Sequence, residues 1–421
     1  VQWVPLVIGF IATAWALVSA PLERVHVRVP VVLTAAGIVT GVFTHAELAG
    51  VLNSTTTTRI AEIILAILLF VDASEVRSGK PFGNNPAIAA RLLGLALPLS
   101  IAAAVGVGAV LFPGIGVPVL VVIACAVVPI DFAAAESLVR DRRVPKRVRD
   151  AINVEGGYND GIVSPIFTYA IFLAGATAIA HHGSHDLGSA VRSVLLAIAV
   201  GAVAGFIVGK LLSASEHRGL TTGPAARVVV VILPVLTYAT ASFASANGFV
   251  AAFVCGIVFR QVRINQRSAS EVANTRRAIG DHDRAFLDDV TSLLTMGMWF
   301  VFGNVAVLVL ASGYLTAWTW VYCALVLTVV RAIPVLLALL GSRRTPTERW
   351  LIALLGPRGT TSIVFGLLAF NQLADPDAAA SVLGVTVLVV LGSVLIHGLA
   401  AIPLVRWIDR DHGRAVNSDT A

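Results

Sequence analysis

The sequence predicts an all-α polytopic membrane protein of about 13 transmembrane helices, built as two inverted six-helix repeats with broken helices at positions 5 and 12. Three observations predict it. Of the 421 residues, 57% are hydrophobic and only 13% are charged, more apolar surface than an ordinary soluble domain can hide. The apolar residues come in runs of bilayer-spanning length, with the cations gathered in alternate gaps. Two runs, seven apart in order, are interrupted by a proline beside a charged residue.

The runs fall near 3–20, 30–44, 58–76, 87–111, 117–139, 150–180, 188–211, 226–244, 246–260, 285–311, 314–340, 347–371 and 378–407. The first lacks a basic leader and a persuasive cleavage site, so it reads as a retained span rather than a signal peptide. With the amino terminus outside and the carboxy terminus in the cytoplasm, all but four of the 30 Lys and Arg residues fall in inner loops. Arg59 and Arg192 lie outside, and Arg331 and Arg358 lie within spans. The net charge of +6 is thus explained by topology, and without aromatic interleaving it gives no sign of a nucleic-acid partner. The longest gap, 260–284, is polar and Arg-rich, either a surface helix on anionic headgroups or a linker between bundles. After Trp407 a short polar cytoplasmic tail, 408–421, is expected, without a regulatory domain. Cys125, Cys255 and Cys323 are scattered through apolar runs and suggest neither a disulfide framework nor a zinc site.

The fifth run is interrupted at Val128-Pro129-Ile130-Asp131 and the twelfth at Leu355-Gly356-Pro357-Arg358-Gly359-Thr360. Proline removes a backbone donor and clashes with the preceding turn. Broken backbone at bilayer depth is tolerated only where protein or water satisfies it, so the breaks mark a site; a simple kink in each helix is the plainer alternative. Because the fifth and twelfth spans run in opposite directions, spans 1–6 and 8–13 read as inverted repeats joined by the seventh. The resulting plan has scaffold helices in 1–116, core helices in 117–180, the connector and second scaffold in 181–346, and second core helices in 347–407.

Asn159-Asp160 is the polar pair that the sixth run has least reason to carry. An ionisable group in hydrocarbon is costly unless protonated, paired or hydrated, and is by default functional. Asp160 lies about 15 Å along its helix from the cytoplasmic end, near the bilayer midplane. Glu155 shares a helix face with Asn159, Ser164 lies one turn beyond Asp160, and Gly156 leaves room for water or an ion. Asp131 follows the break at Pro129, near the start of a half-helix whose free N–H groups favour negative charge. Asp72 is a third candidate acid, or an interfacial residue. Arg331 and Arg358 each need a carboxylate or carbonyls, with Glu155 the partner of at least one; a set of ion pairs that only holds helices together is the structural alternative.

Taken together, Glu155 and Asn159-Asp160-Gly161 after the basic Val144-Pro-Lys-Arg147, with Pro129-x-Asp131, Arg331 and Gly356-Pro-Arg-Gly359, resemble the NhaP-type sodium/proton antiporters of the monovalent cation:proton antiporter family. The resemblance covers nearly the whole chain. It implies that Asp160 is the essential ion-binding acid, with Asn159, Asp131 and Asp72 beside it, Glu155 and Arg358 or Arg331 as a stabilising ion pair, and a homodimer. Ile130 stands where the family usually has Thr, and Gly156 where Ser is common. Two hydroxyl ligands are thereby missing, which leaves K⁺ and Li⁺ open beside Na⁺, with water, Ser164 or backbone carbonyls completing the coordination.

The expected activity is alternating-access exchange in the cell membrane, in which Asp160 with Asp131 holds either an alkali cation or a proton and no cofactor is needed. Asn159 in place of a second acid implies, by the same resemblance, one-for-one electroneutral exchange. A transporter of organic solutes or anions on this architecture is the main alternative. A channel would need a filter loop, and nothing here resembles one. An enzyme is not expected: there is no HExxH, no GxSxG and no nucleophile with a base. His397 in its span reads as packing, and His181, His182 and His185 as a solvated outer loop.

Overall fold

The structure is a computed structural model, described over residues 4–17, 29–52, 54–75, 85–131, 144–175, 187–266 and 279–418. Its regular elements are α1 (Val4–Leu17), α2 (Val29–Leu52), α3 (Thr55–Glu75), α4 (Pro86–Leu111), α5 (Val117–Val127), α6 (Lys146–Leu173) and α7 (Leu187–His217). They continue as α8 (Gly223–Phe243), α9 (Gly248–Asn265), α10 (Ile279–Ala311), α11 (Ala317–Ala338), α12 (Pro346–Leu354), α13 (Thr360–Gln372) and α14 (Pro376–Ser418). By length and apolarity α4, α7, α8, α9, α11 and the segments Asp289–Ala311 of α10 and Pro376–His397 of α14 are long enough to cross a bilayer. Their outward faces expose large apolar side chains such as Leu195, Phe206, Leu236 and Leu395, the surface of a protein solvated by lipid rather than water. Tyr314, Trp318 and Trp320 are exposed together at the start of α11, as residues of an interfacial aromatic belt are.

Between membrane helices the hydrophobic effect supplies little attraction, so close backbone approach through small residues takes its place. Gly201, Gly205 and Gly209 line one face of α7 at four-residue spacing, and a Cβ on Gly205 would lie 2.6 Å from the Cys255 carbonyl of α9. On the other side of α9, Gly256 rests on the Phe70 carbonyl of α3. The α2–α10 crossing is as tight: a Cβ on Gly303 would lie 2.8 Å from Gly37 Cα. There Thr40 donates to Asn304 Oδ1 at 3.2 Å, and Asn304 Nδ2 donates to the Phe300 carbonyl at 2.9 Å. These tight pairs surround a central group in which α5, α6, α13 and α14 pack on one another, with α3 against α6 and α13. Every residue from Val122 to Val127 in α5 and from Thr360 to Ala369 in α13 is buried, so both helices are enclosed on all sides.

Several helix ends differ from the hydropathy boundaries. The sequence ends the ninth run at 260, yet α9 continues to Asn265, because Arg263 there pairs with Glu216 and bonds Ser213 of α7 at 3.3 Å. At the other side of the same gap α10 begins at Ile279, and residues 267–278 lie outside the described residues. Likewise α14 passes Trp407 and runs helically to Ser418, where the sequence suggested a tail. The end of the fifth run from 132 on, the basic residues that follow it up to 143, and the histidines 181, 182 and 185 also lie outside the described residues. Within α4 a π-helical turn at Leu92–Ala96 precedes Pro98, absorbing a proline that cannot donate in an α-helical ladder.

Candidate cation-binding site

α5 ends at Val127 and the chain leaves the helix through Pro129, Ile130 and Asp131; α12 ends at Leu354 and helix resumes only at Thr360. Each break leaves backbone groups without helical partners. The two breaks satisfy one another. Asp131 N donates to the Pro357 carbonyl at 2.9 Å, and Asp131 Oδ2 accepts from Thr361 N in the first turn of α13 at 3.0 Å. In return, Arg358 Nε donates to the Val127 carbonyl at the end of α5 at 2.6 Å, while Nη1 donates to the Gly356 carbonyl. An acid from the first break thus sits on the positive pole of α13, and a base from the second on the negative pole of α5. The residues after Asp131, where the sequence suggested its half-helix, lie outside the described set; the N–H that Asp131 is seen to meet belongs to α13. Arg358 N donates to Ser393 Oγ of α14 at 2.7 Å, which fixes the second break against the last helix.

α6 passes this crossing. Asn159 Nδ2 donates to the Ile130 carbonyl at 2.8 Å, and its Oδ1 accepts from Asp160 N at 2.6 Å, so the asparagine ties the helix to the first break and orients the residue after it. Asp160 is 2% exposed, its carboxylate interacts with Asp131 and with the Thr361 side chain, and its Oδ1 has no hydrogen-bond partner. A buried carboxylate oxygen without a partner calls for an occupant: a proton, a water or a cation. Gly359 makes the approach possible, since a Cβ there would lie 2.7 Å from Asp131 Oδ2. Pro165, inside α6, cannot donate to the Gly161 carbonyl, and Ser164 Oγ donates to it instead at 3.2 Å. Ser164 is fully buried one turn beyond Asp160, its hydroxyl proton turned back to its own helix.

Glu155 and Arg331 form a bidentate ion pair, Nη1 to Oε1 at 2.7 Å and Nη2 to Oε2 at 3.1 Å, both side chains buried. Nη2 also donates to the Ile352 carbonyl in the last turn of α12 at 3.2 Å. The guanidinium occupies the space in which a Cβ of residue 356 would stand, which is why the break carries glycine there. Of the two arginines left open by the sequence, the one on Glu155 is Arg331, while Arg358 is held by carbonyls. His397 is buried on α14 with Nδ1 at 3.0 Å from the Ser393 carbonyl and Nε2 at 3.4 Å from that of Leu354, so both ring nitrogens have backbone partners. Asp72 is half-buried in the last turn of α3, on a different element from Asp131 and Asp160. Among the described residues no three His, Cys, Asp or Glu side chains gather as a metal-binding cluster.

A sequence profile of the transmembrane sodium/hydrogen exchanger family matches residues 9–407. The chain belongs to this family. Its curated relatives in the exchanger family include a Na⁺/H⁺ antiporter of Schizosaccharomyces pombe, 24% identical over 83% of this chain and 78% of its own length. The K⁺/H⁺ antiporter NhaP2 of Shewanella oneidensis is 25% identical over 64% of this chain and 43% of its own length. The uncharacterized Na⁺/H⁺ exchanger YjcE of Escherichia coli is 29% identical over 42% of this chain, and that match spans a third of the relative, 33% of its length. Among solved structures, the sodium proton antiporter MjNhaP1 of Methanocaldococcus jannaschii at pH 8 superposes with a TM-score of 0.70 at 16% identity, covering 93% of this chain and 98% of that one. The all-helical exchanger fold is therefore shared.

Within this exchanger fold the structure adds three residues that sequence reasoning passed over. Thr361 bonds the Asp131 carboxylate, Ser393 receives the Arg358 amide, and Pro165 frees the Gly161 carbonyl. Neither hydroxyl stood out: a threonine in the first turn of a helix is ordinary, and one serine in a long apolar helix has no register to a break 35 residues earlier.

Proposed function

We propose that this exchanger-family protein is a secondary active transporter that exchanges a monovalent alkali cation, Na⁺ first and K⁺ or Li⁺ as alternatives, for H⁺ by alternating access. The observation that carries the reading is Asp160, a buried carboxylate with an unpartnered oxygen beside Asp131 at the crossing of two helix breaks. Every other charge in the crossing is already compensated: Glu155 by Arg331, Arg358 by helix-end carbonyls, Asp131 by the start of α13. Asp160 is thus the acid left to take up either ion, with Asn159 holding it in place and Ser164 and Asp72 as further candidates along the path. No cofactor is invoked.

The finer architecture is about 13 spans as two inverted six-helix repeats, spans 5 and 12 being the broken ones. It is supported by helix neighbours that come in matching pairs: α2 packs on α10 as α9 packs on α3, α5 on α6 as α13 on α14, and α3 on α6 as α10 on α14. The match reaches single residues, for a Cβ on Gly37 would strike the Phe300 carbonyl as one on Gly256 would strike that of Phe70. In this reading 117–180 and 347–407 form a core that moves against scaffold helices of 1–116 and 181–346, in a homodimer. The protein lies in the cell membrane with its amino terminus outside and its carboxy terminus cytoplasmic, and exchange is one-for-one and electroneutral.

The test is proton efflux from acid-loaded proteoliposomes on addition of Na⁺, K⁺ or Li⁺. A cation-dependent pH change that disappears in Asp160→Asn is expected. No response to any alkali cation from folded protein would remove the exchanger reading and favour an organic solute or anion as the transported species.

A further inference from the structure

We propose that Thr361 is a ligand of the transported cation, its hydroxyl bridging the two acids, and that with Thr360 it sets which alkali cation the site accepts. The inference deepens the exchanger reading above and rests on it. Thr361 is 3% exposed, and its backbone N–H is committed to Asp131 Oδ2 at 3.0 Å. Its hydroxyl stands 3.5 Å from that same oxygen, too far for a tight bond, and also interacts with the Asp160 side chain. One hydroxyl therefore lies between the two acids on which the exchange reading depends.

A hydroxyl has one proton to donate and two lone pairs. With Asp160 ionised and a cation present, it can point the proton at one carboxylate and lone pairs at the cation, the behaviour a hard alkali ion requires of a neutral oxygen ligand. Two further buried oxygens without partners accompany it: Asp160 Oδ1 and Thr360 Oγ1, the latter on a residue 1% exposed. Thr360 stands between Gly359, against which the Asp131 carboxylate packs, and Thr361. Unpartnered oxygens are expensive to bury, and Asp160 Oδ1 beside Thr361 is one that a cation would satisfy. Residue 130 is isoleucine and offers no hydroxyl, while Ser164, its proton donated to the Gly161 carbonyl, keeps its lone pairs for a further contact.

The experiment compares wild type with Thr361→Val, Thr361→Ser and Thr361→Ala in proteoliposomes, measuring the apparent KM for Na⁺, K⁺ and Li⁺ from proton efflux. Valine keeps the volume and the backbone N–H on Asp131 and removes only the hydroxyl. The expected result is a KM raised roughly tenfold or more in the valine and alanine variants, as for the loss of a partner at a metal site. The rise differs among the three cations, and serine restores both affinity and order of preference. Cation protection of detergent-solubilised protein against thermal unfolding gives a second readout, and it should weaken in valine and not in serine. Unchanged KM values for all three cations in the valine variant would overturn the proposal, as would an equal loss of rate in valine and serine at constant KM, the mark of a structural role. Wild-type liposomes that exchange no alkali cation would instead overturn the exchanger reading, and the ligand role with it. Should valine fail to fold, the alanine and serine variants decide by the same criteria.

Discussion

Asp160 and Glu155 lie little more than one turn apart on α6, yet their surroundings assign them opposite work. Glu155 is gripped by both terminal nitrogens of Arg331, and removing either partner leaves a charge buried without compensation. Arg331→Leu or Glu155→Leu should therefore destabilise by about 3–5 kcal/mol, read as a lowered thermal-unfolding midpoint, while the double variant recovers much of the loss. Asp160→Asn should do the reverse: abolish cation-dependent proton flux while leaving the unfolding midpoint unchanged or higher, because it neutralises an acid that has no countercharge partner among the described residues. Competition gives the sign of the pH effect. A proton and a cation claim the same oxygens, so lowering pH on the cation-loading side raises the apparent KM for that cation at constant maximal rate. A pH-independent KM would oppose a shared site. Asp160 and Asp131 stand out in the sequence because acids in apolar runs are costly, and Asn159 because it forms a polar pair with one of them. Thr361 does not, because a threonine in the first helical turn has an ordinary capping or packing explanation, and its partner Asp131 lies 230 positions away.

Elements meet here through missing side chains. At Gly303, Gly205 and Gly256 the neighbouring helix backbone fills the space of a Cβ, so a leucine at any of them must push two helices apart. Gly303→Leu should lower the yield of folded protein, measured as the monodisperse fraction in size-exclusion chromatography, far more than leucine at Gly106, around which there is open space. Gly356→Ala has a subtler expected outcome: its methyl group displaces the Arg331 guanidinium, so stability falls and the loss is not additive with that of Glu155→Leu. The end of α5 and the gap between α12 and α13 follow from Pro129 and Pro357, since proline cannot complete a helix ladder. Other helix ends were not legible in the sequence: hydropathy stops at Arg260 and Trp407, whereas α9 and α14 continue beyond them, since hydrogen bonding rather than apolarity maintains a helix once it leaves hydrocarbon.

At the scale of the whole molecule, one-for-one exchange moves no net charge. The rate in proteoliposomes should be unaffected when the membrane potential is clamped with valinomycin and K⁺, using Na⁺ as substrate, and a potential-sensitive dye should report no voltage on turnover. A potential-dependent rate would contradict that stoichiometry. The mutual capping of the breaks also bears on how the protein is made. Val127 and Asp131 enter the membrane early, but the groups that satisfy them, the Arg358 guanidinium and the Thr361 amide, are synthesised more than two hundred residues later. Until then the Val127 carbonyl and the Asp131 carboxylate lack these two partners of the finished fold. The crossing is therefore completed only when the final helices insert.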